Sequence, residues 1–97
     1  MFTSKQRSNL RSMASTMQPV MQIGKGGVTQ NLLNALSEAL EARELIKVTI
    51  FDSAEEDADT IAQNVADLLK AEVVTVIGKK AVFYRRSSRK DFNHISF

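Results

Sequence analysis

Apolar side chains fall along this chain in two periods, and the alternation between them predicts the order of elements. Leu10, Met13, Ala14 and Met17 recur at helical spacing. A first helix therefore starts at Ser4, with Thr3 as its cap and Gln6, three residues on, completing a capping box. Gln18-Pro19 ends it, because a residue before proline avoids the α region. Val20 to Ile23 is short and apolar between Pro19 and Gly24, which marks a buried strand. Leu32, Leu33, Leu36 and Leu40 line the inner face of a second helix, capped by Thr29 and running to about Arg43. From Leu45 to Phe51 the period changes to two. Ile46, Val48 and Ile50 face a core, while Lys47 and Thr49 face water at least in part. A third helix ending near Leu69 buries Ile61, Val65, Leu68 and Leu69. Ser53 and Glu56 form its capping box, and Glu55, Glu56, Asp57 and Asp59 suit its positive end. Glu72–Ile77 and Ala81–Arg85 are strands joined by Gly78-Lys79-Lys80. From Ser87 onward the chain is polar without periodicity, as expected of a mobile tail.

The order α-β-α-β-α-β-β predicts a two-layer α/β fold with a mixed four-stranded sheet, occupying residues 1–86, with 87–97 as a flexible tail. Both β-α-β crossovers must be right-handed. If the strand order advances in one direction, both crossover helices cover the same face. The docking place of the first helix stays open, and the opposite face could be partly uncovered.

Composition narrows the chemistry. The chain has 97 residues and no cysteine, which removes disulfides, thiolate zinc sites and cysteine nucleophiles. No apolar run approaches the ~20 residues of a membrane span, so neither membrane nor targeting segment is expected and a cytoplasmic protein is the default. The net charge is only +2, but it is unevenly spread. Residues 1–30 carry Lys5, Arg7, Arg11 and Lys25 with no acid; residues 31–77 carry ten acids against three bases; residues 78–97 carry Lys79, Lys80, Arg85, Arg86, Arg89 and Lys90 against Asp91. If the fold joins the two basic ends, a positive face results that the net charge hides.

The stretch Gly24-Lys25-Gly26-Gly27 enters a helix, and such a loop lets backbone N–H groups approach phosphate oxygens. It also has the bland reading of a tight connection. Dinucleotide and Walker loops fail on spacing: Thr29 stands where G-x-G-x-x-G needs its last glycine, and Lys25 precedes Gly26 rather than following a second glycine. The G-x-x-G of Gly24 to Gly27 does fit the short clamp with which KH domains hold a nucleic-acid backbone. The acidic middle lacks the glycine and glutamate of a calcium loop, and helix capping accounts for most of it. His94 is the only histidine and lies in the tail, so it serves neither a triad nor a zinc pair. Phe83 and Tyr84 alternate faces, one in the core and the other free to stack a base. No catalytic residue, metal, cofactor or small-molecule substrate is indicated.

Four blocks in order carry a resemblance: S-K-Q-R-S-N-L-R-S (Ser4–Ser12), Q-I-G-K-G-G (Gln22–Gly27), R-E-L-I-K-V (Arg43–Val48) and V-I-G-K-K-A-V-F-Y-R (Val76–Arg85). Together they closely resemble the CRM domain in its stand-alone bacterial form, the YhbY-like RNA-binding proteins, over roughly residues 3–86. The resemblance implies a fold similar to the C-terminal domain of bacterial translation initiation factor three, with an added N-terminal helix. It also implies association with ribosomal RNA in large-subunit precursors and a role in ribosome assembly; plant relatives assist group II intron splicing. The family's loop maps onto Gly24, Lys25, Gly26 and Gly27, and its basic helix onto Lys5, Arg7 and Arg11. Lys79, Lys80 and Arg85 extend this RNA-binding set if the last hairpin lies nearby. The rival expectation is a protein–protein adaptor that docks on ribosomal or GTPase partners through its acidic helix.

Overall fold

In a computed structural model, which describes residues 2–24, 26–51 and 56–97, the elements follow the expected order. They are α1 (Ser4–Ala14), β1 (Met21–Ile23), α2 (Gln30–Arg43), β2 (Leu45–Ile50), α3 (Ala58–Leu69), β3 (Glu72–Ile77) and β4 (Lys80–Tyr84). The four strands form one mixed sheet in the order β1-β2-β4-β3. β1 runs parallel to β2, and β4 is antiparallel to both β2 and β3. The last strand of the hairpin thus fills the gap that the α3 crossover leaves between β2 and β3.

Side-chain alternation divides the sheet into two faces. Ile46, Val48, Ile50, Ala81 and Phe83 pack with Leu36 and Leu40 of α2 and Ile61, Ala62 and Val65 of α3 in the larger core. Phe83 is fully buried there, a burial that contributes about 1.5–3 kcal/mol. Both crossover helices therefore cover one face. On the other, Leu45, Val74, Val82 and Tyr84 meet Leu10 and Ala14 of α1 in a smaller core. The first helix, whose place the pattern leaves open, covers only part of that face. An irregularity between Val73 and Thr75 in β3 inserts Val74 into the α1-side core without a partner residue on β4.

The helix starts differ in how far they follow local signals. Thr3 and Gln6 make the expected capping box on α1, and Thr29 caps α2 by accepting from the Leu32 N–H. For α3 the capping residue is Asp57, whose carboxylate accepts from the Thr60 N–H at 2.9 Å. Ser53, expected to cap it, lies outside the described residues. An Asp one residue ahead of the first helical turn competes well for the same task.

Residues 87–97 correct the expectation of a loose tail. The Glu44 carboxylate is fully buried and accepts from the backbone N–H groups of Ser87 (2.7 Å) and Ile95 (2.8 Å) and pairs with His94 Nδ1 (2.5 Å). Phe97 then stacks edge-on against Tyr84 and Phe2. His94, expected to be incidental, is part of this clasp. Glu44 itself adopts φ 65°, a left-handed value that costs a non-glycine residue ~1–3 kcal/mol and that the three polar partners offset.

Candidate functional site

The end of the sheet that carries the glycine loop also carries the hairpin turn, because β2 lies between them. The Phe51 N–H donates to the Ile23 carbonyl at 2.9 Å, and the Ile50 N–H donates to the Lys79 carbonyl at 2.7 Å. Gly24 and the Gly78-Lys79 turn thus flank the last residues of β2. Gly78 has φ 59°, the value a glycine-first two-residue hairpin turn requires.

Within the loop, the Gly27 N–H donates to the Gly24 carbonyl at 3.0 Å. The Gly27 amide therefore closes the turn rather than facing outward. Gly27, and not Gly26, is the residue with positive φ, at 69°. A Cβ at Gly24 or Gly26 would meet nothing within 4 Å, so the fold itself has no steric need for glycine at either position. The Gly26 N–H has no intramolecular partner among the described residues. Lys25 lies outside the described residues.

The remaining basic residues sort into two groups. Arg11 of α1, Lys47 of β2 and Lys80 of β4 line one recess of about 200 Å³ on the α1 side of the sheet, with Ala14 and Val82 at its base and Ile77 at its exposed edge. A second groove continues from Lys80 past Thr49 and Gln22 to Pro19. The register explains this continuity: Gln22, Thr49, Lys80 and Ile77 stand in one row across all four strands. Lys79 lies over the ring of Phe51, 5.7 Å from its centroid. None of Arg11, Lys47, Lys79 or Lys80 is ion-paired among the described residues. Lys5 is exposed near the start of the same helix, about 9 Å along its axis from Arg11.

Arg85 and Arg7 belong to the second group. Arg85 corrects the sequence expectation outright. Its guanidinium donates to the Leu69 carbonyl (2.9 Å), to the carbonyl and hydroxyl of Ser37 (3.0 and 2.9 Å) and to Glu41 (3.3 Å). It ties α2 to the end of α3 at the opposite end of β4 from Lys80, about 17 Å away at strand rise. Arg7 donates to the carbonyls of Val73 and Val74, both at 2.8 Å, and lies over the Phe2 ring. Its fork satisfies the irregular edge of β3, so only part of it faces solvent.

Two residues escape the sequence reading. Lys47 has a signal, the polar phase of the β2 alternation, but nothing local says which cations it will join. Phe51 is 39% exposed beside the glycine loop, whereas Phe83 and Tyr84, the aromatics read as stacking candidates, are both buried. Phe51 follows the last strand residue and so escapes the core that its neighbours fill.

Residues 2–85 match the CRS1 / YhbY (CRM) domain. The chain belongs to that family. It is 42% identical over 87 residues to the probable RNA-binding protein YqeI of Bacillus subtilis, covering 90% of this chain and 91% of that one. It is 33% identical over 86 residues to a Haemophilus influenzae RNA-binding protein, covering 89% and 87%. In structure it is similar to a hypothetical protein of Staphylococcus aureus described as a candidate RNA-binding protein, with a TM-score of 0.78 at 38% identity over 94% of this chain and 95% of that one. The CRM match ends at Tyr84's neighbour Arg85, so the clasped segment 87–97 lies beyond it.

Proposed function

We propose that this chain is a cytoplasmic RNA-binding protein that associates with ribosomal RNA in precursors of the large ribosomal subunit and assists their assembly. One observation carries the reading. Four cations that form no ion pair among the described residues lie together on one part of the surface: Arg11, Lys47 and Lys80 around the recess, and Lys79 in the hairpin turn beside the glycine loop. Holding like charges together without counter-charges is costly, and a polyanion relieves the cost. The names of the bacterial relatives point the same way.

In this mechanism Gly24 and Gly26 leave room for a phosphate to approach the backbone, and the Gly26 N–H and the start of α2 supply positive character. Lys25 neutralises that phosphate, and Arg11, Lys47 and Lys80 extend the track across the sheet, with Lys5 beyond them. With four to six phosphate contacts, log affinity against log salt has a slope of about −3 to −5. Lys25→Ala makes the slope shallower by a little under one without changing the melting temperature; an unaltered slope removes Lys25 from the site. In extracts, nuclease treatment abolishes co-sedimentation with large-subunit precursors.

A second reading, docking to a protein partner, draws on the groove between α2 and α3, where Val28, Leu33 and Leu68 meet Glu56 and Asp67. Leu68, expected to be buried, is 63% exposed there. Co-sedimentation that survives nuclease favours this reading.

A further inference from the structure

The recess beneath α1 differs from the rest of the cationic track, because its floor is apolar. Val82 and Ala14 lie at its base, Ile77 stands at its exposed edge, and Arg11, Lys47 and Lys80 complete the lining. A surface that only tracks phosphates needs charge and no apolar hollow. A hollow that only fills with protein needs no ring of three cations. An unpaired nucleotide matches both features, since it brings a flat apolar face and an attached phosphate.

We infer that this recess holds one unstacked base of single-stranded RNA, with its phosphates on Lys47 and Lys80. The inference rests on the RNA-binding reading above and adds to it the kind of RNA. The base lies on Val82 and Ile77, and the Arg11 guanidinium plane supplies the other side of the stack. Lys80 lines both the recess and the groove leading past Thr49 and Gln22, so the strand continues from there toward the glycine loop. Three strand spacings, about 14 Å, separate the β3 edge of the recess from β1. A base inside a duplex cannot reach this floor without leaving its stack, and α1 beside the recess obstructs a helical partner.

The test compares the full chain's affinity for a single-stranded RNA oligonucleotide and for the same sequence as a perfect duplex. It uses the native chain, Ile77→Asp and Ile77→Leu. Ile77 is 68% exposed, so the folded state tolerates both substitutions, which amide NMR spectra of the free proteins verify. The expected result is a preference for the single strand of at least about tenfold, lost in Ile77→Asp and kept in Ile77→Leu. A 2-aminopurine placed in the oligonucleotide changes its emission on binding to the native chain and not to Ile77→Asp. Equal loss for both RNAs in Ile77→Asp, or no loss in either, overturns the recess as a base site while leaving RNA binding intact. A native chain that prefers duplex overturns it as well. Failure of the native chain to bind either RNA overturns the function itself. Adenosine monophosphate that shifts the Thr75, Ile77 and Val82 amides equally well, without any single-strand preference, reassigns the recess to a free mononucleotide.

Discussion

The two ends of this sheet use the same residue types to opposite purposes. At the end where β4 finishes, the charges and hydrogen-bonding groups are matched: Glu44 takes three donors, Glu41 takes Arg85 and Ser88, and Arg85 spans two helices. Where β4 begins, Lys80 joins Arg11 and Lys47 around the recess and Lys79 stands in the adjoining turn, and none of the four is ion-paired among the described residues. A basic side chain is therefore not informative until its partners are known. The satisfied end contributes stability, and the unsatisfied end is available to a polyanion.

Glu44→Ala leaves the Ser87 and Ile95 N–H groups and His94 without their acceptor and opens a cavity, for a loss of roughly 3–5 kcal/mol in urea unfolding. The released segment 87–97 gains hydrogen exchange. A loss below about 1 kcal/mol means that the clasp is incidental.

Arg85→Met has a smaller effect at the same end of the sheet. Removing a half-buried guanidinium that serves Leu69, Ser37 and Glu41 costs roughly 1–3 kcal/mol, while the salt slope of RNA affinity stays as in the native chain. A slope shallower by ~0.7 or more returns Arg85 to the interface.

Acid provides a third lever. Burial alone raises the Glu44 carboxyl, but the hydrogen bonds from His94, Ile95 and Ser87 outweigh it and hold the group below its ordinary 4.5. The Ser88 hydrogen bonds lower Glu41 and the Thr60 N–H lowers Asp57. A carboxylate with a depressed folded-state pKa binds fewer protons folded than unfolded, so its contribution is complete above about 4.5 and fades as pH falls through the folded value. Thermal unfolding between pH 7 and 3 therefore shows a plateau followed by a fall below about 4.5, and the fall is shallower in Glu44→Ala.

The smallest effect on stability belongs to the other end. Lys80→Gln changes unfolding by no more than ~0.5 kcal/mol, because the side chain is exposed and forms no ion pair among the described residues, yet it makes the salt slope for single-stranded RNA shallower by about 0.7. Stability loss without a slope change would falsify the division between the two ends.

Several of these roles were legible in the sequence and others were not. The first helix and its capping box, the alternation of Ile46, Val48 and Ile50, and the turn glycines are local signals of two to four residues' range, and the structure follows them. The start of α3 shows the limit of such signals, since Asp57 caps a helix that a Ser53–Glu56 box would begin earlier. The site was half visible. Arg11 and Lys80 are among the candidates the sequence offers and meet in the recess; nothing local singles out Lys47 or Phe51; Arg85, grouped with Lys79 and Lys80 on condition that the hairpin lies nearby, is held at the other end of β4.

The order and type of the elements follow from local pattern alone, because helix and strand are written in periods that neighbouring residues share. Tertiary structure decided which strand β4 would join and which charges would be spent. Its insertion between β2 and β3 brings Lys80 beside Lys47 and carries Arg85 to the carbonyls of Leu69 and Ser37. Those partners lie 16 and 48 residues away, and Arg7 reaches across 66 to Val73. A hydrogen bond over such separations leaves no trace in local spacing, so the difference between a strut and a free cation exists only in the folded chain.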